Sequence, residues 1–182
     1  MPFAWNPTLL DQIEFPWNNG FLPRLATLTD EADLWEPVPG CWSVRPNVAG
    51  RWVQDGIGVR PPEPPPFTTI AWRVAHITTI FGQRASNHFG DGTFDPATVP
   101  WTGAASDAIA LMTAEYERWR AGVRALGEVG LFRPCGPAEG PSEQPFLTLV
   151  LHINREFIHH AAEVMLLLDL YRNMVDRPPD SA

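Results

Sequence analysis

Residues 150–171 read VLHINREFIHHAAEVMLLLDLY, and this stretch decides the fold. At about 100° per residue, Ile153, Phe157, Val164 and Leu167 fall on one apolar arc, while His152, Glu156 and His160 climb one side, His160 bordering that arc. The pattern predicts an amphipathic helix whose apolar face packs on other helices. Pro145 suits its first turn, where a missing N–H costs nothing, and Pro178-Pro179 stops it beyond about Met174.

Upstream, Ile109, Met112, Tyr116, Trp119, Val123 and Leu126 recur three and four residues apart and predict a helix opening near Ser106-Asp107. Ile70, Val74, Ile77 and Phe81 form another stripe, capped by Thr68 or Thr69 and ended by Gly90 and Gly92. His76 lies inside that helix. The first helix is expected from Asn6-Pro7, with Asn6 as N-cap and Leu9, Leu10, Ile13 and Trp17 inward, and Pro16 and Pro23 kinking or dividing it before Leu28.

Between the first and second helices, residues 29–67 dissolve into Trp, Pro and Gly, ending in the extended run Pro61-Pro62-Glu63-Pro64-Pro65-Pro66. Trp35, Trp42 and Trp52 mark this connection as a structured cover rather than a floppy linker. No strand pattern of useful length appears. The architecture expected is therefore all-α: a four-helix bundle with a long Trp/Pro-rich connection between the first and second helices, in a single domain over residues 1–182.

A net charge of -8, with 13 basic residues that are all Arg and nowhere clustered, argues against nucleic acid and against an anionic membrane as partners. No basic-then-apolar leader and no membrane-length apolar run occur, so a cytoplasmic protein is expected. Cys41 and Cys135 are far apart and fit neither a disulfide framework nor a zinc ribbon; two reduced thiols are the expectation.

A carboxylate and an imidazole at i, i+4 can hold one ion from one helix, and a histidine facing them from another would complete a His2Glu set. Glu156, His160 and His76 have that chemistry. The spacing leaves a second reading open: Thr148, His152, Arg155, Glu156, His159, His160 and Glu163 share one polar arc, which would also be the wet face of an ordinary amphipathic helix.

The segments TTIAWRVAHIT (68–78) and VLHINREFIHHAAEVMLLLDLY resemble the DinB-like superfamily, over nearly the whole chain. The resemblance implies a four-helix bundle with one divalent metal held by His76, Glu156 and His160, zinc first, with nickel and iron as alternatives. His-Glu-His is the variant of the mycothiol-dependent maleylpyruvate isomerase branch; that enzyme carries an additional C-terminal domain, and maleylpyruvate isomerase activity itself is not expected of this chain. Register chooses His160 over His159, since the last ligand precedes a small pair and an acidic residue, here Ala161-Ala162-Glu163. The family's common HHGAE is altered at Ala161, and Leu168 replaces a frequent basic residue.

Characterised relatives imply transfer of mycothiol or a similar low-molecular-weight thiol to a small electrophile, in a homodimer. Metal-dependent hydrolysis and a non-catalytic metal-containing stress-response module are the competing readings. Trp72 is expected in the core or lining the pocket; Arg84 and His88 are expected at a solvated helix end or against an acidic ligand.

Overall fold

The computed structural model describes residues 4–140 and 143–175. Four helical rods enclose one main core: α1 (Trp5–Pro16) continued through a π turn (Trp17–Phe21) into α2 (Leu22–Leu25), then α4 (Ile70–Phe89), α5 (Ala105–Leu131) and α6 (Phe146–Met174). Between them lie the short α3 (Asp30–Leu34), strands β1 (Val44–Pro46) and β2 (Trp52–Gln54), and a 3-10 turn at Pro137–Glu139. Each of α1 and α4 packs on both α5 and α6, closing a ring of helices. The all-α bundle read from periodicity is thus the observed fold. The helix stop expected from Pro178-Pro179 lies outside the described residues.

Each apolar stripe became a buried face. Ile70, Val74, Ile77 and Phe81 of α4, Met112, Tyr116, Trp119 and Val123 of α5, and Ile153, Phe157, Val164 and Leu167 of α6 are all within the main core. Thr69 caps α4 as expected, its side chain accepting from the Trp72 N–H.

The start of the first rod differs from the sequence reading. Asn6 is not the N-cap: it sits inside α1, buried, and its Nδ2 donates to the Val123 carbonyl at 2.8 Å. The backbone N–H groups of Trp5 and Asn6, in the first turn, donate instead to the Glu128 carboxylate, at 3.2 and 2.9 Å. Gly127 makes this reach available. Its φ of 57° breaks the helical path of α5, a conformation that glycine adopts without steric penalty, and turns Glu128 toward α1.

The rod kinks without dividing. Pro16 has no N–H for the carbonyl one turn back, and the following turn widens so that the Leu22 N–H donates to the Trp17 carbonyl, five residues away. Trp17 and Phe21, four apart, both turn inward. Trp17 stacks on Tyr116 at 3.8 Å between ring centroids and meets Phe21, Phe81 and Phe157 around its edges.

The connection 35–68 is a strap laid across α4, and it contains the hairpin that the sequence did not reveal. β1 and β2 pair antiparallel, Val44 opposite Gln54 and Pro46 opposite Trp52. Three residues per strand are too few to show alternation. The base of the strap is sewn shut: the Trp42 N–H donates to the Phe67 carbonyl at 2.8 Å and the Thr69 N–H to the Trp42 carbonyl at 3.0 Å. A second apolar cluster, Val44, Ala71, Ala75 and Trp101, with Leu34 and Trp52 against it, holds the strap on the bundle.

Helices α4 and α5 approach closely at Gly122, where an added Cβ would overlap the base of the Phe89 ring. Relieving that overlap costs about 1–3 kcal/mol, against a gain of about 1 kcal/mol in helix propensity for alanine over glycine. Gly122→Ala is therefore expected to lower the urea midpoint with an unchanged slope; an equal or higher midpoint would show that the helices can separate freely here.

Candidate metal centre

Two antiparallel helices bring the site together. From α4, residues three and four apart give Trp72, Arg73 and His76; from α6, the same spacing gives Glu156, His160 and Glu163. The His76 and His160 rings meet edge-on, centroids 4.7 Å apart at 87°. Glu156 Oε2 lies 3.7 Å from His160 Nε2. All three residues named by sequence therefore occupy one place, His160 only 7 % exposed.

His160 is held from behind. Its Nδ1 is 2.8 Å from Glu163 Oε2 and 3.0 Å from Arg73 Nη1, and Arg73 also pairs with Glu163 at 2.8 Å. In the tautomer with its proton on Nδ1, His160 donates to Glu163 and keeps a lone pair on Nε2, the nitrogen facing Glu156 and the seam. A carboxylate behind a ligating imidazole is the usual device for fixing both ring orientation and tautomer.

His76 is held from the side. The Trp72 ring stacks on it at 5.0 Å with a 13° tilt, and the strap fixes Trp72: indole Nε1 donates to the Asp55 carbonyl at 2.9 Å, and Trp42 packs against it at 6.0 Å. The Arg73 guanidinium lies over the same indole, 5.5 Å from its centroid. Trp72 is thus a half-buried wall of the site, beyond ordinary core.

Electrostatics favour neutral imidazoles. Burial lowers the His76 pKa to about 4, with His160 and Arg73 pushing the same way and Glu163 opposing. The His160 pKa is also lowered, first by burial and further by Arg73 and His159, while Glu163 raises it. A neutral ring keeps the lone pair that metal binding needs.

The donor types fit a divalent ion, but the side chains have not closed on one. Among the described residues, no three His, Cys, Asp or Glu side chains already form a group that could hold a metal. With bonds of about 2.0–2.2 Å, two ligands of one tetrahedral zinc stand roughly 3.3–3.5 Å apart, slightly nearer than the 3.7 Å between His160 and Glu156. Glu156 is drawn off on its other oxygen by His152 at 3.6 Å and Arg155 at 3.8 Å. A modest rotation of this partly exposed carboxylate closes the gap between Glu156 and His160.

The remaining polar residues sort differently from expectation. Arg84 and His88 neither end in solvent nor await a ligand: both engage Glu139 of the 3-10 turn, at 3.2 and 3.0 Å, with the His88 side chain 4 % exposed. His159 is exposed, and its Nε2 contacts Glu163 at 3.2 Å. Cys41 is buried against the Val38 carbonyl and Cys135 is half-buried; neither is in a disulfide. Burial raises the Cys135 pKa, which is the wrong direction for a reactive thiol.

Beside Cys135 a cavity of about 220 Å³ is lined also by Glu139, Gln144, Thr148, Leu149 and His152. It begins one helical turn from Glu156. Arg73, which the sequence reading did not name, and Glu163, which it used only to set the register of His160, complete the site; their signal was the i, i+3 offset of Arg73 from His76 and of Glu163 from His160.

Fold and site together describe a helical bundle that gathers two histidines and a glutamate from facing helices. The DinB superfamily model matches residues 13–164, and the chain belongs to that superfamily. No curated protein and no solved structure matches it significantly. Among the described residues, no helix is long and apolar enough to cross a membrane.

Proposed function

We propose that this DinB-type protein binds one divalent metal ion, zinc by preference, through His76, Glu156 and His160, and transfers a low-molecular-weight thiol to a small electrophile. The observation that carries this reading is the meeting of His76 with the Glu156–His160 pair, backed by Glu163. Three protein ligands leave a coordination position for a substrate. When bound, the ion would act as a Lewis acid that lowers the pKa of a thiol from about 8.5 into the neutral range.

The protein's own residues do the rest. Glu163, itself paired with Arg73, holds His160 in one orientation, Trp72 holds His76, and the cavity beside His152 has room for the non-reacting part of the thiol or of the electrophile. In the transfer, the thiol proton leaves to water, sulfur forms the new bond to carbon, and the leaving group departs with its electron pair.

The test is conjugation of 1-chloro-2,4-dinitrobenzene with a panel of thiols, cysteine and glucosamine-linked cysteine derivatives included, by zinc-loaded protein and by His76→Ala. Thiol-dependent product from the loaded protein alone supports the reading. Ester hydrolysis without thiol transfer would replace it with hydrolase chemistry, and metal binding with neither activity would leave a binding module.

A further inference from the structure

Asp33, in α3, is an anomaly. It is 1 % exposed, and neither carboxylate oxygen has a hydrogen-bond partner. It stands on the wall of a cavity of about 10 Å³, room for a single water at most. Around it, α4 presents alanines, Val74 and Thr78, β1 presents Val44, and α5 with its lead-in presents Trp101, Thr102 and Leu111. None of these titrates or carries a charge.

Among the described residues, the one ionisable neighbour that acts on Asp33 is Asp30, on its own helix, whose Oδ1 accepts from the Ala105 N–H at 2.8 Å. Nothing here compensates a negative charge on Asp33. Burial first, and the Asp30 charge second, raise its pKa from 3.8 to about 7.

The location gives this carboxyl leverage. The residues around it, Val44, Ala71, Ala75 and Trp101, form the cluster that clamps the strap to the bundle. Ala71 and Ala75 alternate along α4 with Trp72 and His76, and the strap holds Trp72 through Asp55 and Trp42.

We infer that Asp33 is a proton-operated latch: as a neutral acid it lets α3 and the strap dock on α4 and α5, and on ionising it loosens them. The proton favours the docked state because the docked group binds it more tightly than the undocked one. Docking is therefore strongest below about pH 4, weakens as pH rises through the interval to about 7, and is constant above it. From pH 5 to pH 8.5 the same linkage predicts about a hundredfold rise in the equilibrium constant for opening.

Hydrogen exchange read by mass spectrometry on peptides from 35–68, corrected for intrinsic exchange rates, tests this in wild type, Asp33→Asn and Asp33→Leu. All three carry the same histidines, so any pH effect arising at the metal centre would appear in the variants as well and separates itself from that of Asp33. The expected result is a roughly hundredfold rise in strap opening for wild type and a flat profile in the variants. Asp33→Leu stands in should the asparagine variant not fold. A flat wild-type profile, or the same rise in the variants, overturns the latch. The readout involves neither metal nor thiol transfer, so it succeeds or fails apart from the proposed activity.

Discussion

Freshly purified protein is expected to carry close to one divalent metal ion per chain by elemental mass spectrometry, and His160→Ala and Glu156→Ala are each expected to abolish it. Each removes one of three donors, and the two survivors cannot hold an ion against water at ordinary dilution. Glu163→Ala should be milder. It leaves all three donors but frees the His160 ring, and loss of such a partner typically lowers metal affinity about 10–100-fold.

The order of the effects is diagnostic. A binding site built from His76, Glu156 and His160 requires the ligand variants to fall further than the Glu163 variant. Equal metal in wild type, His160→Ala and Glu156→Ala would instead mean that the polar arc of α6 is a solvated helix face, and the thiol-transfer reading would fall with it.

Trp17→Ala is expected to be the most damaging single core substitution, at about 3–5 kcal/mol. The indole is 1 % exposed and touches aromatic rings from three rods as well as Phe21 on its own. The void cannot collapse easily, because Trp17 belongs to a π turn whose backbone is fixed by the proline before it. Denaturant unfolding reads the loss directly. A loss below about 1 kcal/mol would show that the rings around it close over the gap.

Much of the bundle was legible because each apolar stripe has only one place to go. The stripes of α4 and α6 are buried as read, and that of α5 is buried at its centre with Ile109 and Leu126 half-buried at its ends, since periodicity and burial are two views of one constraint. The cap on α1 was not legible. Asn6 has the right chemistry for a cap, yet a tertiary acceptor, the Val123 carbonyl, and a distant carboxylate, Glu128, decide the geometry. Local preference loses to partners more than a hundred residues away.

The candidate site divides in the same way. Spacing alone put Glu156 and His160 on one side of a helix; that α4 delivers His76 to that same side depends on the antiparallel crossing of two helices, which no local pattern encodes. Arg84 and His88 show the converse. At a helix end they read as solvated, and the 3-10 turn at Pro137–Glu139 covers them with Glu139.

The stitched base of the strap has a consequence for how such a protein can change. Trp42, Phe67 and Thr69 close the loop through main-chain N–H and carbonyl groups, which any residue except proline at a donor position can supply. What lies between is then free to lengthen, since doubling a flexible loop adds only about 0.6 kcal/mol to its closure. Insertions at the hairpin tip around Val48, which is fully exposed, would alter the rim of the strap while leaving intact the Asp55 and Trp42 contacts that hold Trp72 beside His76. The molecule separates its candidate ligands, carried by helices, from an extendable rim, carried by a closed loop.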